Sequence, residues 1–177
     1  MPEVRIARLV EIDGWERLIR GIEAIFFAAS GRTFSDDAER AAFRERWLGR
    51  YLQHDVSLTH VALTGDAVAG YIVGSHDDPA KAARFADLAF FGCFASLTAA
   101  YPGQLHINLD ARYRSRGIGG RLIEAFMADA RGHGVPGVHV VTGAASRNVT
   151  FYERSSFEPS CCAAWNGRRL LMLKRLA

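Results

Sequence analysis

Residues 104–134 read QLHINLDARYRSRGIGGRLIEAFMADARGHG and contain the most informative pattern in this chain. Residues 105–110 alternate between apolar and polar side chains, which predicts a strand. Residues 118–130 carry apolar side chains at helical spacing, and the glycines at 132 and 134 end that pattern. The stretch therefore predicts a strand that leads through a glycine turn into a helix.

The loop between this strand and this helix has the chemistry of an anion site. The first N–H groups of a helix lack intrahelical partners, and the helix dipole favours negative charge there. Glycines let an anion approach the backbone closely. Four arginines surround the turn, namely Arg112, Arg114, Arg116 and Arg121. We expect the loop to bind a polyanion such as a pyrophosphate, although neither the dinucleotide fingerprint nor the Walker pattern is present.

Two motifs resemble those of the GNAT acetyltransferases. RSRGIG at residues 114–119 resembles the family's acetyl-coenzyme A (acetyl-CoA) loop, Gln/Arg-x-x-Gly-x-Gly/Ala, and FYERSSF at residues 151–157 is similar to its F-Y-E-[KR]-x-G-F segment. The resemblance covers roughly residues 104–158 and is only topological before them. The chain departs from the family pattern at Ser156, where glycine is usual, and at Ala145, where asparagine is frequent.

The resemblance implies an α/β (α+β) fold in a single domain over residues 1–177. It implies a twisted mixed sheet of six to seven strands, splayed at its central pair and flanked by helices. The periodicities agree, because they predict a strand, two helices, a hairpin, a helical insert over residues 78–102, and then strand, helix, strand, helix and hairpin. A chain of 177 residues can bury one core.

Local signals predict where these elements begin and turn. Asp13 is expected to cap the first helix, and the run Ser35–Asp37 the second. Pro79 is expected to begin the helical insert. Gly65-Asp66 and Asn166-Gly167 are expected to form hairpin turns.

The resemblance also implies acetyl-CoA as cosubstrate and indicates the residues that bind it. These are Leu109, Arg112, Arg114, Ser115, Arg116, Gly117, Ile118, Gly119, Gly120, Arg121, Asn148 and Tyr152. Tyr152 is the tyrosine of the F-Y-E segment, which in the family lies beside the cofactor sulfur, so its phenol is the best candidate for the acid that protonates the departing thiolate. The alternative is an aromatic ring that packs on the sheet.

The catalytic base is less well defined by the sequence. His106 titrates in the right range for a base near neutral pH, and the alternative is a hydrogen-bonded structural histidine. His139 on the next strand is a weaker candidate, and two alternatives stay open, namely attack by an already neutral amine and a water relay to His106. Asp110 is expected to cap or orient the loop. Aromatics outside both motifs, such as Phe34 and Phe91, are expected either to govern the acceptor or to pack in the core.

We therefore expect an N-acetyltransferase that uses a ternary complex and acts on a small amine or a protein amino group. The alternative is a catalytically silent acyl-CoA-binding or regulatory module on the same fold, favoured by Ser156 and Ala145. A nucleic-acid-binding role is disfavoured because only Tyr113 is interleaved with the arginines. Residues 101–109 also loosely resemble a bacterial subgroup related to the acetyltransferase-like domain of O-GlcNAcase, which identifies no substrate.

Composition excludes several other classes. The net charge of +3 suits an anionic cofactor better than a nucleic-acid surface, and no apolar run approaches the length of a membrane span. The amino terminus lacks a signal pattern, and three cysteines make a poor disulfide framework, so we expect a cytoplasmic protein, monomeric or homodimeric. Cys161 and Cys162 are expected to be buried packing residues, and no spacing resembles a metal site.

Overall fold

The computed structural model describes residues 3–177. Met1 and Pro2, which belong to the segment used for the localisation prediction, lie outside the described residues. The strands are β1 (Val4–Arg8), β2 (His60–Thr64), β3 (Ala67–Ser75), β4 (Gly103–Leu109), β5 (Gly137–Gly143), β6 (Glu158–Trp165) and β7 (Arg168–Leu176). The α-helices are α1 (Ile19–Ser30), α2 (Asp37–Arg44), α3 (Arg50–His54), α4 (Ala95–Ala100), α5 (Ile118–Gly132) and α6 (Asn148–Arg154).

The chain divides into two compact units. The first runs up to Gly74 and includes His106–Phe126, and the second comprises Ser75–Leu105 and Met127–Ala177. β4 and α5 each begin in one unit and continue into the other. The hydrogen-bonded order of the strands is β1-β2-β3-β4-β5-β7-β6, a mixed sheet with β1 and β6 as its end strands. The predicted fold class is confirmed.

In the first unit, β1, β2 and β3 pair in antiparallel fashion, and the carboxyl half of β4 follows β3. The predicted hairpin at Gly65-Asp66 is present, with Gly65 at φ +57°. Beside β4, the Asp110 N–H donates to the Ala69 carbonyl at 3.0 Å. Gly70 is needed at this point, because a Cβ there would lie 2.3 Å from the Leu109 side chain. Glycine thus permits the close approach of β3 to the strand that leads into the loop.

In the second unit, β5 pairs antiparallel with β7, and β7 pairs with β6 through the hairpin at Asn166-Gly167. Both turn residues have positive φ, 47° and 72°, as a two-residue type I′ turn requires. The first residues of β4 pair in parallel with β5, through Gly103 with Val138 and Gln104 with His139. This parallel pair joins the central strand to the carboxyl-terminal hairpin.

Each unit buries apolar side chains from a helix against its strands. In the first unit α1 buries Ile22, Ile25 and Phe26, and the amino-terminal part of α5 buries Ile118, Leu122, Ile123 and Phe126. In the second unit the buried apolar residues include Met127, Ala130, Val138, Val140, Phe157, Met172 and Leu173. Each large aliphatic or aromatic side chain buried in this way contributes roughly 1.5–3 kcal/mol, so these faces fix the strand and helix that flank the loop.

Two of the predicted element starts are wrong. α1 begins at Ile19 and not after Asp13, because a 3₁₀ turn (Trp15–Leu18) intervenes and its N-cap is Gly14 at φ +62°. The second cap is confirmed, since Asp36 accepts the Glu39 N–H at 2.7 Å. In the insert the first helical turn starts at Ala83 rather than at Pro79.

The cysteine prediction is also wrong. Cys93 and Cys162 are exposed and Cys161 is half-buried. The strand that carries Cys161 and Cys162 is the end strand of the sheet order, so it has a single neighbour, β7. An end strand buries less of its surface than a central one, and strand periodicity alone does not reveal that position.

Helices α2 and α3 are joined by a short segment of π-helix at Glu45–Gly49. One extra residue in such a turn rotates all later side chains by about 100° relative to an uninterrupted α-helix. Before the segment, Phe43 stacks on Phe26 of α1 with ring centroids 5.2 Å apart. After it, Tyr51 is fully buried. The π segment therefore lets one continuous helical run present aromatic rings in two directions.

Candidate active site

The loop after β4 is held by Asp110, as predicted. Its carboxylate accepts the backbone N–H of Arg112 at 2.9 Å and the Arg112 guanidinium Nη2 at 2.7 Å. Hydrogen bonds from the Arg112 guanidinium and backbone lower the pKa of Asp110 to about 2. The carboxylate therefore stays charged, and it offsets part of the positive charge that Arg112 brings to the loop. Asp110 caps the 3₁₀ turn Ala111–Tyr113 and so fixes the start of the loop.

The turn into α5 has the open backbone that an anion site needs. Gly117 has φ +74°, a conformation that disfavours other residues, and a Cβ built on it would meet no atom within 4 Å. Gly120, in the first turn of α5, is equally open. The Gly117 carbonyl accepts the Arg121 N–H at 3.2 Å, which marks the start of the helix. The positions beside Gly117 and Gly120, where other residues carry a side chain, are therefore open.

The arginines of this loop are exposed and arranged around Tyr113. Arg112 and Arg116 both lie 5.7 Å from the centroid of the Tyr113 ring. The Nε of Arg114 donates to the Leu109 carbonyl at 3.3 Å. Together with the dipole of α5, these guanidinium groups make the turn electropositive. The structure thus gathers the predicted residues from Leu109 to Arg121 into one basic turn in the first unit.

His106 lies in the same unit, four residues before Asp110. It is half-buried, and its Nε2 lies 3.1 Å from the phenol oxygen of Tyr51. Its ring also meets Trp47 edge to face, with centroids 5.7 Å apart. No local signal connects Tyr51 with His106, which lies 55 residues further along the chain.

Tyr152 lies in the second unit, on α6. Its ring is buried between Phe151 and Phe157, at centroid distances of 5.2 and 5.7 Å. Burial raises the pKa of the Tyr152 phenol above its ordinary value, so the group stays protonated at neutral pH. Within residues 3–177, no protein group forms a hydrogen bond with its hydroxyl.

The other motif residues around α6 are more exposed. Asn148 is the first residue of α6, and its backbone N–H donates to Ser146 Oγ at 3.2 Å. Ala145 is exposed. Ser156 has φ +64°, the left-handed region that glycine provides at this position in the family pattern. Ser156 therefore adopts the left-handed backbone conformation that a glycine would favour at this position.

His139 is a poor base in this structure. It is buried, and its Nδ1 donates to the Tyr101 carbonyl at 2.5 Å. Burial lowers the pKa of His139 to about 4, so the imidazole holds a proton too weakly to accept one from an amine. Phe91 is also buried and packs edge to face on the His139 ring, with centroids 5.7 Å apart. Both side chains are thus buried in the second unit.

The described residues were also compared with the requirements of a metal site and of a membrane span. In the part of the chain that the structure describes, no group of three or more His, Cys, Asp or Glu side chains is arranged to hold a metal ion. Over the same residues, no helix has the length and apolar character needed to span a membrane.

Comparison with known proteins agrees with this geometry. The sequence model described as Acetyltransferase (GNAT) family matches residues 19–157. The chain therefore belongs to the GNAT acetyltransferase family, whose members are acetyl-CoA-dependent acyltransferases.

Three solved structures illustrate the shared fold. The crystal structure of SsHAT is 23% identical with a TM-score of 0.74, and the match covers 99% of this chain and 98% of that one. PH1933 from Pyrococcus horikoshii OT3 is 14% identical with a TM-score of 0.72, covering 99% of both chains. The NatC complex bound to Gag peptide and CoA gives 16% identity and a TM-score of 0.66, also covering 99% of both. At these identities the likeness shows the fold, and the resemblance to the O-GlcNAcase-related subgroup stays a prediction.

Proposed function

We propose that this chain is an N-acetyltransferase that moves the acetyl group of acetyl-CoA to an amine acceptor within a ternary complex. The observation that carries the proposal is the basic turn after β4. Gly117 and Gly120 leave the start of α5 open, and exposed arginines surround it. An open helix start with positive charge suits the pyrophosphate of acetyl-CoA. Bound there, acetyl-CoA would supply the acetyl group as a thioester, so the protein need not provide a covalent nucleophile.

Proton transfer on the acceptor side is assigned to His106. An amine attacks as its neutral form, and the nitrogen gains a positive charge when its bond to the acetyl carbon forms. A base must take the surplus proton from that nitrogen, and an imidazole does so near neutral pH. His106 supports this role because it is half-buried, so it is not sealed in the core as His139 is.

Proton transfer on the leaving side is assigned to Tyr152. As the carbon–sulfur bond breaks, its electron pair stays on sulfur, and a proton donor nearby lowers the cost of that charge. The Tyr152 phenol is protonated at neutral pH because burial raises its pKa. No described protein group occupies its hydroxyl, so the O–H is available to the thiolate. Asn148, at the start of the same helix, is proposed to bind the pantetheine arm.

A catalytically silent acyl-CoA-binding module is the second candidate. Ala145 and Ser156 favour it, because both replace residues usual in the family pattern. The backbone of Ser156 argues against a lost site, since it holds φ +64° without glycine. We also propose a reducing, cytoplasmic setting, supported by three unpaired cysteines.

The test measures release of free coenzyme A with a panel of amines, peptide amino termini and lysine side chains, alongside calorimetric titration of acetyl-CoA. Amine-dependent release is the expected result. Tight binding of acetyl-CoA without release for any acceptor would favour the silent module. No binding of acetyl-CoA would overturn both candidates.

A further inference from the structure

Tyr51 and His106 are in contact through polar atoms as well as through their rings. The phenol oxygen lies 3.1 Å from Nε2, and the two rings meet edge to face at an interplanar angle of 61°. Tyr51 is fully buried, so its ring direction is fixed by the surrounding core. Trp47, one helical turn earlier, meets the same imidazole at 79°. Two aromatic rings from one helix therefore hold the imidazole of His106.

The π segment Glu45–Gly49 gives this contact a second, independent support. It lies between Phe43, which packs on α1, and Tyr51, which meets His106. Without the extra residue in that turn, Tyr51 would be rotated by about 100° away from its present direction relative to Phe43. π segments are rare and occur frequently at functional sites. The π segment thus lies at the point in the helical run where it directs the Tyr51 phenol toward the His106 imidazole.

We propose that Tyr51 is a positioning residue that holds His106 in the tautomer with its proton on Nε2, which makes Nδ1 the nitrogen that accepts the proton of the acceptor amine. This inference rests on the proposed function, in which His106 is the base. A neutral imidazole has one N–H and one lone pair. If Tyr51 donated to Nε2, the ring proton would lie on Nδ1 and neither nitrogen would have a lone pair to accept the amine proton. The base role therefore requires Nε2–H to donate to the phenol oxygen.

The same contact strengthens as the reaction proceeds. When Nδ1 takes the proton, both ring nitrogens are donors and the imidazole carries a positive charge. The bond from Nε2–H to the phenol oxygen then becomes charge-assisted, which makes it stronger than in the neutral state. An interaction that is stronger in the transition state than in the ground state raises kcat rather than lowering KM. Tyr51 is therefore expected to affect turnover more than binding.

The chain offers a matched control for Tyr51→Phe. Tyr71 is also buried, and its phenol oxygen accepts the Asn108 side-chain amide at 2.9 Å, on the same strand two residues beyond His106. Tyr71→Phe deletes a phenol that is equally enclosed and also bonded to β4, but it leaves His106 untouched. A loss of stability alone would appear in both variants, whereas a tautomer effect would appear only in Tyr51→Phe.

The first measurement is nitrogen NMR of the full-length protein with ¹⁵N-labelled histidine, and His106→Gln identifies the His106 signals. The expected wild-type result is a neutral ring protonated on Nε2, and in Tyr51→Phe a mixture of both tautomers. Tyr71→Phe is expected to match the wild type. A wild-type His106 ring protonated on Nδ1 would overturn the inference. This comparison needs no Tyr51→Phe protein, so it can be made even if that variant does not fold.

The second measurement is the pH profile of coenzyme A release with the best acceptor. Tyr51→Phe is expected to lower kcat about tenfold at neutral pH, the size expected when one hydrogen bond to a group that gains charge is lost, with KM for acetyl-CoA unchanged. The acidic limb of the kcat profile should move to lower pH in Tyr51→Phe, because the protonated His106 imidazole loses the phenol oxygen as its hydrogen-bond acceptor. Equal effects of Tyr51→Phe and Tyr71→Phe would reduce Tyr51 to a structural role. Full activity in His106→Gln would instead remove the base from the proposed function, which is a different failure.

Discussion

Replacement of Tyr152 by phenylalanine isolates one hydroxyl group. The aromatic contacts with Phe151 and Phe157 survive, because the ring is unchanged. No protein hydrogen bond is lost within residues 3–177. The free energy of unfolding should therefore stay within ~1 kcal/mol of the wild type, which shifts the melting temperature by at most roughly 2–4 °C in a domain of this size.

Turnover should respond very differently. If the phenol protonates the departing thiolate, Tyr152→Phe should lower kcat by about 10²–10⁴-fold, the usual range for a lost general acid. That fall corresponds to about 3–5 kcal/mol of lost transition-state stabilisation. The affinity for acetyl-CoA should not change, because the deleted O–H acts only when negative charge develops on sulfur.

The assay follows coenzyme A release under acceptor saturation, with calorimetry for cofactor affinity and a thermal melt for stability. Tyr101→Phe is the control, since it deletes a second phenol in the same unit whose oxygen accepts Lys174 Nζ at 3.3 Å. The control should lose some stability and keep its turnover. A kcat for Tyr152→Phe within a few-fold of the wild type would refute the reasoning and assign the ring to packing.

Three further predictions follow from the basic turn, the surplus aromatics and the buried imidazole. Gly117→Asp should weaken acetyl-CoA binding, as measured by calorimetry. Gly65→Asp is the control and should not weaken it, because Gly65 also has a positive φ and open space around its Cβ. Equal acetyl-CoA affinities for the two variants would contradict the placement of the phosphates. Phe34→Ala should raise the acceptor KM about tenfold with unchanged acetyl-CoA affinity, as expected for one lost apolar contact, and a loss confined to cofactor binding would reject that role. His139 has a folded-state pKa of about 4, below its usual 6.5, so the stability from its neutral form is present above pH 6.5 and lost as the pH falls toward 4. His139→Gln retains a donor for the Tyr101 carbonyl, so its melting temperature should fall less than that of the wild type between pH 7 and pH 5. Equal falls in the two proteins would mean that another group causes the acid sensitivity.

Local chemistry made the strand, loop and helix around residues 104–134 predictable. Alternation gave β4, the helical spacing gave α5, and Gly134 ends the helix at φ +69°. The turn at Asn166-Gly167 was predictable for the same reason, because its left-handed conformation suits only a few residue types. Such features depend on neighbours within a few residues, so one sequence is enough to read them.

Boundaries that depend on competition between local options were less predictable. Asp13 is a good capping residue, yet the chain uses Gly14 and a 3₁₀ turn before α1. The exposure of Cys162 depends on the position of its strand at the end of the sheet order, which periodicity does not encode.

The sequence by itself determined the family-like motifs, the basic glycine turn and the candidate roles of His106 and Tyr152. Only the tertiary structure brought Tyr51 to His106, buried His139 and left the Tyr152 hydroxyl without a protein partner within residues 3–177. The physical reason is the distance along the chain over which each interaction acts. Backbone turns and helix starts are governed by sterics over a few residues, whereas burial and the partner of a side chain depend on which distant segments the folded core brings into contact.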